Sequence, residues 1–279
     1  MHTKKTQTRI MGILNVTPDS FSDGGRYSSE ERLQAGIEKL LHDGADIVDV
    51  GGESTRPGSE AVSEEEELRR VLPAIVAIRK TSSIAISVDT TKAEVARQAL
   101  AAGADIINDI SGLEADTDMA AAVRKASAQV VIMHMQGRPR TMQEAPHYDD
   151  VVAEVNAYLA ARIASLEALG IERKDMIVDP GLGFGKTVEH NLSLLRNLSS
   201  LRRHGCPVLI GHSRKSFLGA IVQVREPEER DTATALLSGF CARQGMDILR
   251  VHNVAATRQA LQLCAALQQP GDAWRPEYR

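Results

Sequence analysis

The sequence contains no long apolar run. Its hydrophobic stretches last only a handful of residues, far short of the ~18 that a membrane span needs, so no transmembrane segment is expected. Aromatic residues are scarce, at 3% of 279 residues, too few for the stacking platforms that bind single-stranded nucleic acid. Neither sign of charge is in excess. Lys and Arg number 33 against 37 Asp and Glu, for a net charge of -4, so the broad basic face of a nucleic-acid or anionic-membrane binder is missing. The three cysteines, Cys206, Cys241 and Cys264, lack metal-ligand spacing, and an odd count is no disulfide framework. Reduced thiols in a cytoplasmic protein are expected. Residues 1–9 are polar and lack the apolar core and small-residue cleavage site of a signal peptide.

What the sequence does have is a series of short runs rich in Val and Ile, at 10–14, 47–50, 84–88, 106–107, 130–133, 176–178, 208–210 and 248–251. Continuous apolar runs without alternation are the mark of strands buried on both faces. Amphipathic stretches lie between them, at 30–42, 64–80, 94–102, 119–127, 151–169, 191–203, 232–244 and 256–267. In the first, Leu33, Ile37, Leu40 and Leu41 fall at helical spacing. Gly44, Gly103, Gly170, Gly205 and Gly245 each stand just before a strand, where a chain leaving a helix needs positive φ.

Strand and helix alternating eight times, with no break in composition, predicts an α/β fold: a single (β/α)8 TIM barrel over residues 10–268. Residues 1–9 form a polar extension and 269–279, with the sole tryptophan Trp274, a tail. An open doubly wound sheet is the alternative, though eight parallel strands are more than it normally needs in this length. Long loops rich in Gly, Ser and Pro are expected after strands 1 and 2, where they would act as lids.

In such a barrel the chemistry sits where the strands end. Asn15, Asp89, Asn108, Asp179 and His252 each stand at or just past the end of an apolar run, Arg250 stands within the last one, and Arg214 and Lys215 follow the seventh. Asp and Asn also cap helices and build turns. Capping does not account for Arg, Lys and His gathered at the ends of strands 7 and 8. Arg56, Arg214, Lys215, Arg250 and His252 could surround a di- or triphosphate, with Asn15 adding an oxygen to Mg²⁺. Asp89, Asn108 and Asp179 could pair with the donor edge of a flat heterocycle.

The residues that carry this chemistry resemble one family in order along the chain. MGILNVTPDSFSDGG (11–25) and DVGGESTRPG (49–58) are similar to the two long signatures of the dihydropteroate synthases. SVDT (87–90), INDI (107–110), MHMQG (133–137), DPGLGFGK (179–186), SRKS (213–216) and RVH (250–252) follow in the same sequence. The resemblance implies condensation of 6-hydroxymethyl-7,8-dihydropterin diphosphate with 4-aminobenzoate, assisted by Mg²⁺, in a cytoplasmic homodimer. It implies Asn15 as the metal ligand, with Arg56, Arg250 and His252 holding the diphosphate. It implies Asp89, Asn108, Asp179 and Lys215 around the pterin, Met133 and Arg250 on its faces, and Asp89, Lys215 and Arg250 as the catalytic set. Thr55, Pro57, Phe184, Lys215 and Ser216 would shape the 4-aminobenzoate site.

Two positions depart from the family pattern. His212 stands where relatives often carry a smaller or uncharged residue, and Asn253 where Asp is common. Both are expected to bear on affinity or on the response to sulfonamides, which mimic 4-aminobenzoate; an insensitive variant is one outcome.

Other readings of the same residues are weaker. Lys215 as a Schiff-base lysine would make an aldolase, but a lysine beside Arg214 is more simply a charge clamp. A pterin-binding methyltransferase would not need Asn15, Arg56 and His252. A non-catalytic pterin-binding barrel would show the loss of a charged rim residue, and none is missing. Glu64 to Glu67 are expected to be a solvated first helical turn, and His42, His147, His190 and His204 solvated or satisfied surface groups.

Overall fold

The computed structural model describes residues 7–17, 29–54, 62–138 and 140–268. Eight parallel strands are present: β1 (Arg9–Asn15), β2 (Ile47–Gly51), β3 (Ala85–Asp89), β4 (Ile106–Asp109), β5 (Gln129–Met133), β6 (Met176–Asp179), β7 (Leu209–Gly211) and β8 (Ile248–Val251). They form one sheet in the order β6-β5-β4-β3-β2-β1-β8-β7. Its two edges meet at a parallel bridge between Val178 and Val208, where the Val178 N–H donates to the Pro207 carbonyl at 2.9 Å. That seam brings the sheet round into a barrel.

The helices are α1 (Ser29–His42), α2 (Glu64–Thr81), α3 (Ala93–Ala101), α4 (Met119–Ala126), α5 (Val151–Ala168), α6 (Val188–Arg196), α7 (Ser216–Val222), α8 (Asp231–Arg243) and α9 (Val254–Gln268). The five glycines expected at helix exits all have positive φ, as that exit requires. The stretch 191–203 divides into α6 and a 3₁₀ turn, Leu198–His204. α7 was not expected. At seven residues it is too short to display a helical period. Among the described residues no helix is long and apolar enough to cross a membrane.

The period of two along each strand sorts the core into two layers. The outward residues, among them Ile10, Val48, Ile86, Val130 and Val251, pack with Ile37, Val71, Ile75, Val123 and Leu159 of the helices. Inside the barrel, Met11, Ile47, Ile106, Val131, Ile177, Leu209 and Ile248 form a separate cluster with Ala85, one residue from each strand. At about 1.5–3 kcal/mol for each large side chain fully removed from water, this inner plug is a strong fixed floor. Two residues further along, the same inward face carries Asp49, Ser87, Asn108, Asp179 and Arg250, with Gly211 in β7 and Met133 in β5. The interior thus changes from apolar to ionic between one layer and the next, towards the strand C-termini.

One expectation fails here. Glu67 is buried rather than solvated, and it pairs with Lys92, which also pairs with Glu53. Its place in the first turn of α2 turns it towards β2, where Gly52 allows the approach: a Cβ there would stand 3.0 Å from Glu67 Cγ.

Candidate active site

Arg250 lies at the centre of the ionic layer. Its Nε donates to Asp49 Oδ2 at 2.6 Å and its Nη2 donates to Asp89 Oδ2 at 2.6 Å. Asn108 Nδ2 lies 3.5 Å from Asp49 Oδ2. Both carboxylates are buried, and Asp49 Oδ1 has no hydrogen-bond partner among the described residues. Burial pushes the Asp89 carboxyl upward, Arg250 draws it down, and the charges of Asp49 and Glu67 push it up again. Burial works against the Arg250 charge, yet Asp49 and Asp89 outweigh it and hold the guanidinium above its ordinary range.

Two inward positions of this rim have no side chain. A Cβ on Gly51 would stand 3.5 Å from Asn15 Oδ1 and 3.8 Å from Asp89 Cβ, and one on Gly211 would stand 3.5 Å from Asp179 Oδ2. Their absence leaves space beside the carboxylates. Asn15 closes β1 at this level, with its amide oxygen turned to the same space.

Asp179 ends β6. Its Oδ1 accepts the Gly181 N–H at 2.7 Å. Burial raises its carboxyl, against Gly181, Lys215 and Lys186. The following turn comes so close to the β5 loop that a Cβ on Gly181 would run into the His134 carbonyl, and one on Gly185 into that of Gln136. Lys186 locks the turn from behind. It is 3% exposed, and its Nζ donates to the carbonyls of Gly181 and Phe184, each at 3.0 Å, beside His134 Nδ1 at 3.0 Å. Burial lowers Lys186 to about 7 and His134 to about 3. Phe184 then packs with Met133, Ile110 and Met142, and Lys215 Nζ lies 3.9 Å from the centre of the Phe184 ring. Burial pulls Lys215 downward, against the attraction of Asp179.

Lys215 stands just past β7, at the N-cap of α7, with exposed Ser216 opening that helix. His252 follows β8. Its backbone N–H donates to Ser213 Oγ at 3.1 Å, and Oγ lies 2.9 Å from the ring Nδ1. A hydroxyl that accepts from the backbone can donate to Nδ1, which leaves the proton of a neutral ring on Nε2.

One expectation of the rim needs correction. Arg214 does not join the cations of the mouth: Nε and Nη2 grip both oxygens of Asp231 at 2.7 and 2.9 Å. The next residue faces the mouth while Arg214 faces away, because Arg214 itself takes the left-handed φ of +58°. His212 is fully buried behind β7, its Nε2 2.9 Å from Ser238 Oγ and 3.1 Å from the Thr234 carbonyl. Asn253 turns to Asp231 and to the Ala256 N–H. His204 is also buried, with Nε2 3.0 Å from Asn156 Oδ1; α5 and the 3₁₀ turn cover it.

Of the other site residues read from the sequence, Asn15, Asp89, Asn108, Met133, Asp179, Phe184, Lys215, Arg250 and His252 lie at the C-terminal rim of the barrel, with Ser216 beside them. Thr55, Arg56 and Pro57 lie outside the described residues, as do most of both expected lid loops and Trp274. The sequence reading missed Asp49, although an aspartate within IVDVG at the inward register was a usable signal. It also missed Lys186 and His134, whose contacts come from two separate loops.

Known proteins resemble this chain over most of its length. The family model described as pterin binding enzyme matches residues 11–252. The dihydropteroate synthase of Escherichia coli K12 is 48% identical over 257 residues, 92% of this chain and 90% of that protein. The dihydropteroate synthase of Synechocystis is 45% identical over 94% of this chain and 90% of its own. The solved Xanthomonas albilineans dihydropteroate synthase with 4-aminobenzoic acid superposes with a TM-score of 0.89 at 46% identity, covering 95% of this chain and 94% of that one. Its complex with 7,8-dihydropteroate gives a TM-score of 0.87 at 43% identity, over 96% and 97% of the two chains.

Proposed function

The chain belongs to the dihydropteroate synthase family of pterin binding enzymes, and on that premise we propose how the residues of its barrel mouth divide the work. The reaction condenses 6-hydroxymethyl-7,8-dihydropterin diphosphate with 4-aminobenzoate to 7,8-dihydropteroate and pyrophosphate. The C–O bond from the pterin methylene to the diphosphate breaks first, and the electron pair leaves with the diphosphate. The amine of 4-aminobenzoate then gives its lone pair to the methylene cation and loses a proton. An arylamine needs little help to attack a cation, so no side chain is assigned as general base.

Asp89, Asn108 and Asp179 hold the pterin ring, the carboxylates accepting from its amino-imine edge. Lys215 joins them, and Met133 and Arg250 pack on the ring faces. Buried anions beside the ring also favour the cation electrostatically. Arg56, Arg250 and His252 hold the diphosphate, His252 through the Nε2–H that Ser213 leaves outward. Phe184, Lys215, Ser216, Thr55 and Pro57 form the 4-aminobenzoate site. The observation that carries this division is Arg250 set between Asp49 and Asp89, with side-chain-free Gly211 in register beside it and side-chain-free Gly51 in register with Asp89.

A divalent cation fits the donor set. Among the described residues no cluster of three or more Asp, Glu, His or Cys could cage a metal. Asn15 offers one amide oxygen at the mouth, the arrangement that suits Mg²⁺ bound largely through substrate phosphates. Mg²⁺ supplies neutralisation of the leaving diphosphate. The protein is cytoplasmic and acts as a homodimer. Leu236 and Phe240, one turn apart on α8 and 72% and 41% exposed, support an apolar subunit contact there.

Pyrophosphate release by the purified protein, with Mg²⁺ and both substrates, tests the reading. Release that requires both substrates is expected. Tight pterin binding without release would favour a methyl-transfer or non-catalytic barrel. Release that persists under a sulfonamide would mark an insensitive variant.

A further inference from the structure

Asp231 opens α8, and an acidic residue in a first helical turn is favoured by the helix dipole alone. Its carboxylate, however, is turned to two other segments. Oδ1 accepts from Arg214 Nε at 2.7 Å, and Oδ2 accepts from Arg214 Nη2 at 2.9 Å and from Asn253 Nδ2 at 3.0 Å. One side chain on α8 therefore bonds to the loop after β7 and to the loop after β8.

The β7 side of this link is over-determined. The left-handed turn at Arg214 is unfavourable for a residue with a Cβ and persists only where its surroundings fix it. Here the Arg214 N–H donates to Thr234 Oγ1 at 3.1 Å, and its carbonyl accepts from Arg230 Nη1 at 2.9 Å. With Asp231 on the guanidinium, three residues at the start of α8 grip one residue. That turn sends the next side chain, Lys215, over the Phe184 ring. On the β8 side, Asn253 Oδ1 caps α9 through the Ala256 N–H at 3.0 Å while its amide donates to Asp231. The residue before it is His252, bonded to Ser213. Arg214 and Asn253 are thus the neighbours, on the side away from the mouth, of two of its residues, Lys215 and His252.

We propose that Asp231 is a positioning residue: its carboxylate ties the segment that aims Lys215 to the segment that aims His252, and so sets the spacing of the two. This rests on the roles given above to those two side chains. The charges fit. Arg214 and Asp231 form a fork-to-fork pair, and an amide at 253 can donate to Oδ2, whereas a carboxylate there would repel it. Exchanging the carboxylate and the amide between 231 and 253 keeps the formal charge and one donor–acceptor bond between them, but an amide at 231 accepts from Arg214 through a single oxygen and loses the fork.

Four proteins test this: the unmodified chain, Asp231→Asn, Asn253→Asp and the double exchange. Calorimetric binding of inorganic pyrophosphate with Mg²⁺ is the first readout, and KM for each substrate the second. Each single change should weaken pyrophosphate binding, through His252, and raise KM for both substrates, whose sites share Lys215, by roughly tenfold or more, the scale on which small misplacements act. The double exchange relieves the repulsion in Asn253→Asp and should bind better than that variant, while the lost fork keeps it below the unmodified chain; a merely structural role would lower the urea midpoint and leave pyrophosphate affinity and both KM values unchanged. Unchanged binding in Asp231→Asn overturns the proposal, as does a double exchange no better than Asn253→Asp. If a carboxylate change prevents folding, Arg214→Lys, which keeps the charge and loses the fork, should weaken pyrophosphate binding likewise; unaltered binding there overturns it. An unmodified chain that binds pyrophosphate but does not release it from the two substrates removes the reaction reading and leaves this one standing.

Discussion

Arg250, on β8, donates from Nη2 to Oδ2 of Asp89, on β3, at 2.6 Å across the barrel mouth. The same guanidinium holds Asp49 of β2 through Nε. Charges withdrawn from water this far are stable only while paired, and removing one partner leaves the other exposed to the full desolvation cost. The site is therefore sensitive to single charge removals. Asp89→Asn and Lys215→Ala should each cut pyrophosphate release by roughly 10²-fold or more, the scale of losing one preorganised electrostatic contact. Cys241→Ala, a change within the apolar core far from the rim, should release pyrophosphate at near the unmodified rate. Near-normal rates in both rim variants would remove the assignment of the pterin pocket.

Two glycines of like backbone make a paired stability test. Gly181 and Gly205 have φ of +66° and +69°. Alanine at either pays for the left-handed backbone, of order 1 kcal/mol. At Gly205 the nearest atom to the new Cβ is Arg173 Cδ at 3.8 Å, so nothing more is lost. At Gly181 the Cβ meets the His134 carbonyl and stands 3.2 Å from Met133 Cγ. Gly181→Ala should lose a further ~1–3 kcal/mol in urea unfolding and raise KM for 4-aminobenzoate, since Phe184 rides on the displaced turn. Equal losses in the two variants would show that the turn yields freely.

Lys186 should prove structural rather than catalytic. Its Nζ serves the carbonyls of Gly181 and Phe184, and Lys186→Met would fill the space while leaving those oxygens unsatisfied. A buried polar group left without its partner costs ~1–3 kcal/mol. The expected result is a lower urea midpoint. A midpoint equal to that of the unmodified protein would mean that the oxygens find other donors.

Acid should destabilise the fold through two buried histidines. Burial lowers His134 to about 3 and His212 to about 4 from an ordinary value of 6.5. Between 6.5 and those values the unfolded chain binds more protons than the folded one, so stability rises with pH across the window and falls on acidification. Each histidine contributes at most about 1.4 kcal/mol per pH unit. The carboxyls of Asp89 and Asp179, raised by burial, act in the opposite sense over this window, so the histidine part is read as the difference in urea midpoint between the unmodified chain and His212→Gln at pH 7.0, 5.5 and 4.5. His212→Gln retains a donor for the Thr234 carbonyl and should flatten part of the histidine slope. A slope unchanged by the substitution would take His212 out of the account.

The architecture was legible in the sequence because it depends on local regularities. Strands covered on both faces need unbroken apolar runs such as 47–50 and 130–133, and eight of them separated by amphipathic stretches admit few folds. The rim residues were legible for the same reason: Asp89 and Asp179 end strands, Asn108 stands one residue short of the end of its own, and strand ends share one side of a barrel. Only the tertiary structure decided where neighbouring polar residues point. Arg214 and Lys215 are adjacent cations, yet one grips Asp231 and the other faces the mouth, because a left-handed turn held by α8 lies between them. His204 and Glu67 read as surface residues and are buried, because segments from elsewhere in the chain cover them. Periodicity fixes which side of its own element a residue occupies. Its partners, and with them its charge and role, are supplied by segments tens of residues away, and only folding brings those together.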